Sequence, residues 1–190
     1  MTADPGTYVP GQSSPAERRA VPTPVRTESP VSSEAFRSIF RRHPAGVAVV
    51  ALRDGERPVG FTATSVISVS ADPALLAFSV ADTSSSARAL AAAETLTVSF
   101  LGAAQVDVSA RFATRGVDRF DGVAWHWLPT GEPVLDDVPA WVRGRVVERL
   151  AVGSSVLVVV HVQESAQGDA EAPLVYHDRA YHSLHEGSAL

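Results

Sequence analysis

The 190-residue chain contains no cysteine, which excludes disulfides, Cys-based zinc sites, iron–sulfur ligation and a thiol nucleophile together. Positive charge is also scarce. With 16 Lys and Arg against 21 Asp and Glu, the formal net charge is −5, so neither a nucleic acid nor an anionic membrane is an expected partner. No apolar run approaches the length of a spanning helix, and the opening MTADPGTYVPGQSSP lacks the apolar centre of a secretory signal. The expectation is a soluble, cytoplasmic protein. Catalytic signatures are missing too: there is no GxSxG, no HExxH, no Walker loop and no GxGxxG after a strand.

What is present divides the chain in two. Residues 1–33 hold Pro5, Pro10, Pro15, Pro22, Pro24 and Pro30 among Ser, Thr and Gly with almost no apolar periodicity, and read as a disordered Pro/Ser-rich tail. One folded domain is expected over 34–190, a length sufficient for a buried core. It opens on a short helix capped near Ser32 or Ser33, with Phe36, Ile39 and Phe40 on one face. Val47 to Leu52 and Val59 to Thr64, separated by Asp54-Gly55, predict a hairpin. Ser65 to Ser70 predicts a further strand, Asp72-Pro73 a break, and the continuous apolar run Ala74 to Val80 a buried strand.

Ser84, Ser85 and Ser86 precede the helix-favouring ARALAAAE. A strand is expected at Thr95 to Leu101 and a short helix over Ala103 to Ala113. Trp141 to Leu150 and Ser154 to Val162 read as long strands joined at Val152-Gly153, the second apolar on both faces and therefore central. The fold class is mainly β with short helices, a closed or split β-barrel.

Chemistry concentrates in two places. GFTATSVISVS, from Gly60 to Ser70, sets the small hydroxyl residues Thr62, Thr64 and Ser65 around a strand end. Small side chains let backbone N–H groups approach a flat ring or a phosphate, and their hydroxyls add donors without charge. The plainer alternative is an ordinary strand with its hydroxyls turned outward. At Ser84 to Ser86 the alternatives are an anion site at a helix entrance or simple capping. Arg143 and Arg145 share one side of a strand, either solvated or contacting a phosphate or ribose. His177, His182 and His185 with Glu186 lie close in sequence near the chain end, and no metal site is expected there.

Several segments in order resemble the short-chain flavin reductase family, whose members adopt the FMN-binding split β-barrel. They are FRSIFRRHPAGVAVV (Phe36 to Val50), GFTATSVISVSADP (Gly60 to Pro73), SVADTSSSARAL (Ser79 to Leu90), SARFA (Ser109 to Ala113), VDRFDGVAW (Val117 to Trp125), GEPVL (Gly131 to Leu135), Trp141 to Val146 and PLVYHDRAYHSL (Pro173 to Leu184). The resemblance implies that Thr62, Ala63, Thr64 and Ser65 border the isoalloxazine and phosphate of FMN or FAD. It further implies that Ser79, Val80 and Ala81 run beside the ring, that Ser85 lies near the phosphate and that Phe112 closes one side of the pocket. It implies hydride transfer from NADH or NADPH to the flavin, which needs no protein acid or base, a homodimer with flavin near the subunit boundary, and delivery of reduced flavin to a partner monooxygenase.

The sequence also departs from that pattern. Where many members carry Gly-Asp-His, with the histidine on the nicotinamide side, this chain reads Gly153-Ser154-Ser155. Ala74 replaces a second proline after the Asp-Pro pair, and Ala81 stands where a polar residue is frequent. His182 or Tyr181 is then the candidate to face the nicotinamide, with a structural role at the barrel rim as the alternative for Tyr181. The leading expectation is an NAD(P)H:flavin oxidoreductase; the alternative is a flavin-binding carrier, sensor or repurposed split-barrel protein without reductase turnover.

Overall fold

In the computed structural model the described residues are 30–169 and 171–188. The tail expected over residues 1–33 thus lies outside them up to position 29. The compact unit that carries the core is Ser33–Leu190.

Its elements are α1 (Ser33–Arg41), β1 (Ala45–Gly46), β2 (Ala48–Asp54), β3 (Arg57–Ala63), β4 (Ile67–Ala71), β5 (Ala74–Ala81), α2 (Ala87–Ala92), β6 (Thr95–Phe100), α3 (Val106–Ala113), β7 (Trp125–Trp127), β8 (Pro133–Leu135), β9 (Ala140–Val152), β10 (Ser155–Gln167), β11 (Leu174–His177) and β12 (Ala180–Ser183). One seven-stranded antiparallel sheet runs β3-β2-β6-β9-β10-β5-β4, flanked by the small sheets β1-β11-β12 and β7-β8. β10 is interior, as its two-sided apolar sequence predicts.

The large sheet curls until distant strands touch. Phe61 on β3 and Phe78 on β5 stand with ring centroids 6.0 Å apart, although four strands separate β3 from β5 in the sheet order. β3 and β4 form no ladder with each other, so the barrel is split rather than closed.

The apolar alternation of β2 explains the layers. Ala48, Val50 and Leu52 face the barrel interior with Phe61, Phe78, Leu96 and Val158. Val49 and Ala51 face the opposite side with Leu101, Phe112, Phe120 and Leu135. A strand buried on both faces needs a continuous apolar run, and VAVVAL supplies it. The β2–β3 and β9–β10 turns place Gly55 at φ 63° and Gly153 at φ 60°, the left-handed region glycine enters without steric cost.

Three features were not legible as elements: the β7–β8 hairpin and the strands β11 and β12. α1 forms where its caps predict, and its Phe36 and Phe40 rings meet at 4.5 Å. No residue of α1 is buried, however, and Phe36, Ile39 and Phe40 all remain exposed. Among the described residues no helix is long and apolar enough to cross a membrane.

Candidate functional site

Two hydroxyl-bearing segments meet at the open side of the barrel. Ile67 on β4 faces Ala77 on β5, and the same antiparallel register carried on by two residues sets Ser65 opposite Ser79. There the rung is made by a side chain. The Ser65 hydroxyl donates to the Ser79 carbonyl at 3.1 Å and accepts from the Ser79 N–H at 3.0 Å. Thr64, Ser79 and Ala81 are exposed beside it. Ala63 and Val80 turn their side chains into the core, so they present only backbone to a ligand.

The helix entrance joins the same strand from the other direction. Ser86 is 1% exposed and does not cap α2 with its side chain. Its hydroxyl points toward the Gly60 carbonyl of β3, 3.5 Å away. At the entrance of the six-residue α2 the Ser86 N–H donates to the Ser84 hydroxyl at 3.3 Å, which favours the capping alternative. The positive charge comes instead from Arg119, a residue the sequence reading assigned no role. Its Nε donates to the Thr114 carbonyl at 2.9 Å, Nη1 to the Gly60 carbonyl at 2.7 Å and the Ser86 hydroxyl at 3.1 Å, and Nη2 to the Ser85 hydroxyl at 3.4 Å.

Every partner of Arg119 is thus neutral, and among the described residues no carboxylate lies within ion-pair distance of it. Burial, and then repulsion from Arg115, lower its pKa from the ordinary guanidinium range. Guanidinium remains charged at neutral pH. A half-buried cation held by carbonyls and hydroxyls alone, with one Nη2 hydrogen still unused, has the charge and the donor with which an anion could be met.

Arg119 and Ser85 open into a cleft of about 840 Å³, whose wall includes Arg57, Gly60, Arg88 and Trp125. Phe112 stands behind that wall rather than in it. It is fully buried and backs Gly60 so closely that a Cβ there would lie 2.6 Å from its Cε1. The Thr62 hydroxyl donates to the Ser109 carbonyl at 2.7 Å, and the buried Ser109 hydroxyl pairs with the Tyr181 hydroxyl at 2.9 Å. Tyr181 therefore braces the strand end from behind, the rim role.

His182 follows Tyr181 on β12 and must point to the opposite face of that strand. It is exposed, and its ring lies 5.7 Å from that of His177. It is not among the residues lining the cleft. The Gly153-Ser154-Ser155 turn lies beside the site: Ser155 pairs with Ala81, and the Ser154 carbonyl accepts from the Asp82 N–H at 3.1 Å. Arg143 and Arg145 are committed elsewhere, to Glu132 at 2.9 Å and Glu94 at 3.0 Å, so the phosphate reading of that pair is set aside. The signal for Arg119 lay in VDRFDG, a segment matched by its order but carrying no periodicity that points to a ligand.

Comparison with known proteins gives the family. A family model described as "Flavin reductase like domain" matches residues 40–185. The chain is 47% identical over 153 residues to an NADH:FMN oxidoreductase of Rhodococcus qingshengii, covering 77% of this chain and 79% of that protein. It is 36% identical over 147 residues to the reductase component of a flavin-dependent trigonelline monooxygenase from Acinetobacter baylyi, covering 77% of this chain and 47% of that protein. The crystal structure of a flavin reductase domain protein from Arthrobacter sp. FB24 superposes with a TM-score of 0.77 at 39% identity, covering 80% of this chain and 96% of that one.

Proposed function

The chain belongs to the flavin reductase-like family, and we propose that it acts there as an NAD(P)H:flavin oxidoreductase delivering reduced FMN or FAD to a flavin-dependent monooxygenase. The observation that carries the reading is the Arg119–Ser85 pair at the cleft; the Ser65–Ser79 pairing separately joins Thr62–Ser65 to Ser79–Ala81, residues that do not line that cleft. The similarity to an NADH:FMN oxidoreductase supports the redox chemistry, and the similarity to a monooxygenase reductase component supports the recipient.

The residues fit a flavin nucleotide because Arg119 lacks a carboxylate partner and shares its free edge with the exposed Ser85 hydroxyl. Bound flavin supplies the hydride-accepting chemistry. Arg119 and Ser85 hold the phosphate. Thr64, Ser65 and Ser79 offer hydroxyl and backbone groups to the ring, and the Tyr181–Ser109–Thr62 chain fixes the strand that carries them. Because NADH donates a hydride directly, the protein contributes orientation and exclusion of water rather than a proton. NADH is the reductant favoured over NADPH, and use of it supports a cytoplasmic location.

A second copy of the chain completes the site. Ile67 and Val69 on β4 and Val152 at the end of β9 are between 51% and 58% exposed; β4 lies beside the strand of Ser79 and Ala81, and Val152 pairs with Ser155, which in turn pairs with Ala81. Apolar residues bared at a ligand site mark a surface that association covers. Analytical ultracentrifugation should show a dimer that Val69→Asp dissociates.

The Gly153-Ser154-Ser155 turn favours the alternative of a flavin-binding protein without turnover, because it offers no imidazole beside Ala81. Anaerobic mixing with NADH and excess FMN separates the two. Bleaching of the flavin absorbance at catalytic protein concentration is the expected result, and tight FMN retention without bleaching would make the protein a binder.

A further inference from the structure

Two apolar surfaces of the chain are left bare, and they differ in charge. The first is a face of the large sheet. Ile67 pairs across the ladders with Ala77, Ala77 with Val159 and Val159 with Glu148. The next rungs join Ser79 to Leu157 and Leu150, and Ala81 to Ser155 and Val152. Cross-strand partners share a face. Val158 and Val160, which alternate with Leu157 and Val159 along β10, are fully buried in the barrel core, so these rungs lie on its outer side. Leu157 and Val159 are half-buried and belong to neither core cluster, while Ile67, Leu150 and Val152 are exposed. Asp72 and Asp82 stand near the two ends of β5 and Glu148 on the face itself. All three are exposed, and none forms an ion pair among the described residues.

The second surface is α1. Phe36, Ile39 and Phe40 fall on one side of the helix by their spacing and are 54%, 64% and 57% exposed. Arg37, Arg41 and Arg42 flank them, exposed and likewise without an ion pair among the described residues. The last turn is fastened to the β11–β12 turn, where the Asp178 N–H donates to the Arg41 carbonyl at 2.9 Å; the apolar side stays bare.

The two surfaces complement each other in charge and in size. A nine-residue helix spans roughly 14 Å, and the three spacings that separate β4, β5, β10 and β9 also come to roughly 14 Å. We infer that α1 of one copy lies across the outer face of β4, β5, β10 and β9 of a second copy, its Phe36, Ile39 and Phe40 against Ile67, Leu157 and Leu150 and its arginines toward the carboxylates at the rim. In a two-fold pair each copy gives its helix and receives the other's. Each helix offers roughly 300 Å² of apolar area. Both contacts, counted on both surfaces, remove roughly 1,200 Å², the lower end of what a stable dimer buries. Because Ser79 and Ala81 lie in the covered rungs, α1 of the second copy supplies an apolar wall to the open side of the site. The inference rests on the reading that a second copy completes the site, and names the element that does so.

The absence of cysteine makes disulfide trapping a direct test. Tagged Ile39→Cys and untagged Ile67→Cys chains are co-expressed, purified through the tag, oxidised and mapped by mass spectrometry after a non-reducing gel. A covalent dimer bridged between positions 39 and 67 is expected, and none when Val117→Cys, exposed beside the Arg119 cleft, replaces Ile67→Cys. Phe36→Ser/Phe40→Ser removes the apolar side without touching a buried residue. Its circular dichroism should match wild type while sedimentation shows the dimer dissociation constant raised by at least about tenfold. A wild type that sediments as a monomer sinks the dimer reading itself. A wild-type dimer that gives no 39–67 bridge, or that the serine variant leaves intact, overturns the placement of α1 alone.

Discussion

Replacing Arg119 by methionine tests the phosphate site most directly, because the side chain has two jobs that the structure allows one to separate. It donates to the Thr114 and Gly60 carbonyls, tying the loop before Phe120 to β3, and it turns its remaining donor toward Ser85 and the cleft. Arg119→Met therefore loosens the wall and removes the anion's partner at once. Riboflavin, which shares the ring but lacks the phosphate, feels only the first effect. A charge-assisted hydrogen bond to phosphate contributes about 1.5–3 kcal/mol, which converts to roughly 10- to 150-fold in affinity. The assay is titration of flavin fluorescence with wild type and variant, reading the ratio of the Kd for FMN to that for riboflavin. That ratio should rise by the stated factor in Arg119→Met. Arg119→Lys should recover part of it, since lysine keeps the charge but loses the planar fork. Salt should weaken FMN binding to wild type and leave riboflavin nearly unaffected. Should both flavins weaken equally, Arg119 is only a strut and the phosphate lies elsewhere.

Ser85→Ala should act in the same direction but less strongly, weakening FMN severalfold and riboflavin little in the same titration, because a neutral hydroxyl is lost. Gly60→Ala places a methyl group 2.6 Å from Phe112 Cε1 and 3.1 Å from the Val50 carbonyl, and should cost about 1–3 kcal/mol in urea unfolding; an unchanged midpoint would show that Phe112 yields freely. Glu132 is 2% exposed. Burial alone would raise its pKa, but hydrogen bonds from Arg143, Thr130 and Thr95 outweigh it and hold the carboxyl at about 2, below the ordinary 4.5. A depressed carboxyl stabilises the fold above pH 4.5 and loses that contribution as pH falls toward about 2, roughly 3 kcal/mol in all. Glu132→Gln should remove most of that acid-side slope, and an unaltered slope would locate the titration elsewhere. His182→Ala should leave the KM for NADH within about twofold, as a side chain on the far face of β12 requires; a tenfold rise would return it to the nicotinamide side.

The strands were legible because burial imposes a pattern. β2 and β10 each need apolar residues on both faces, and VAVVAL and VLVVVHV have no other stable use in a chain this size. β7, β11 and β12 escaped because they hold three or four residues each, too few for alternation to show, and their partners are fixed only by the tertiary fold. The site divides along the same line. Ser65 and Ser79 could be singled out as hydroxyls at strand positions, although nothing local announces that one rung between them is made by a side chain. The family resemblance sets Phe112 at one side of the pocket. Its full burial against Gly60 shows that the smallness of residue 60 and the bulk of residue 112 are two halves of one packing requirement. Arg119 was illegible for a deeper reason. Guanidinium side chains are mostly surface groups, and what sets this one apart is the absence of a carboxylate around it, a property of three segments brought together by folding and written in none of them singly.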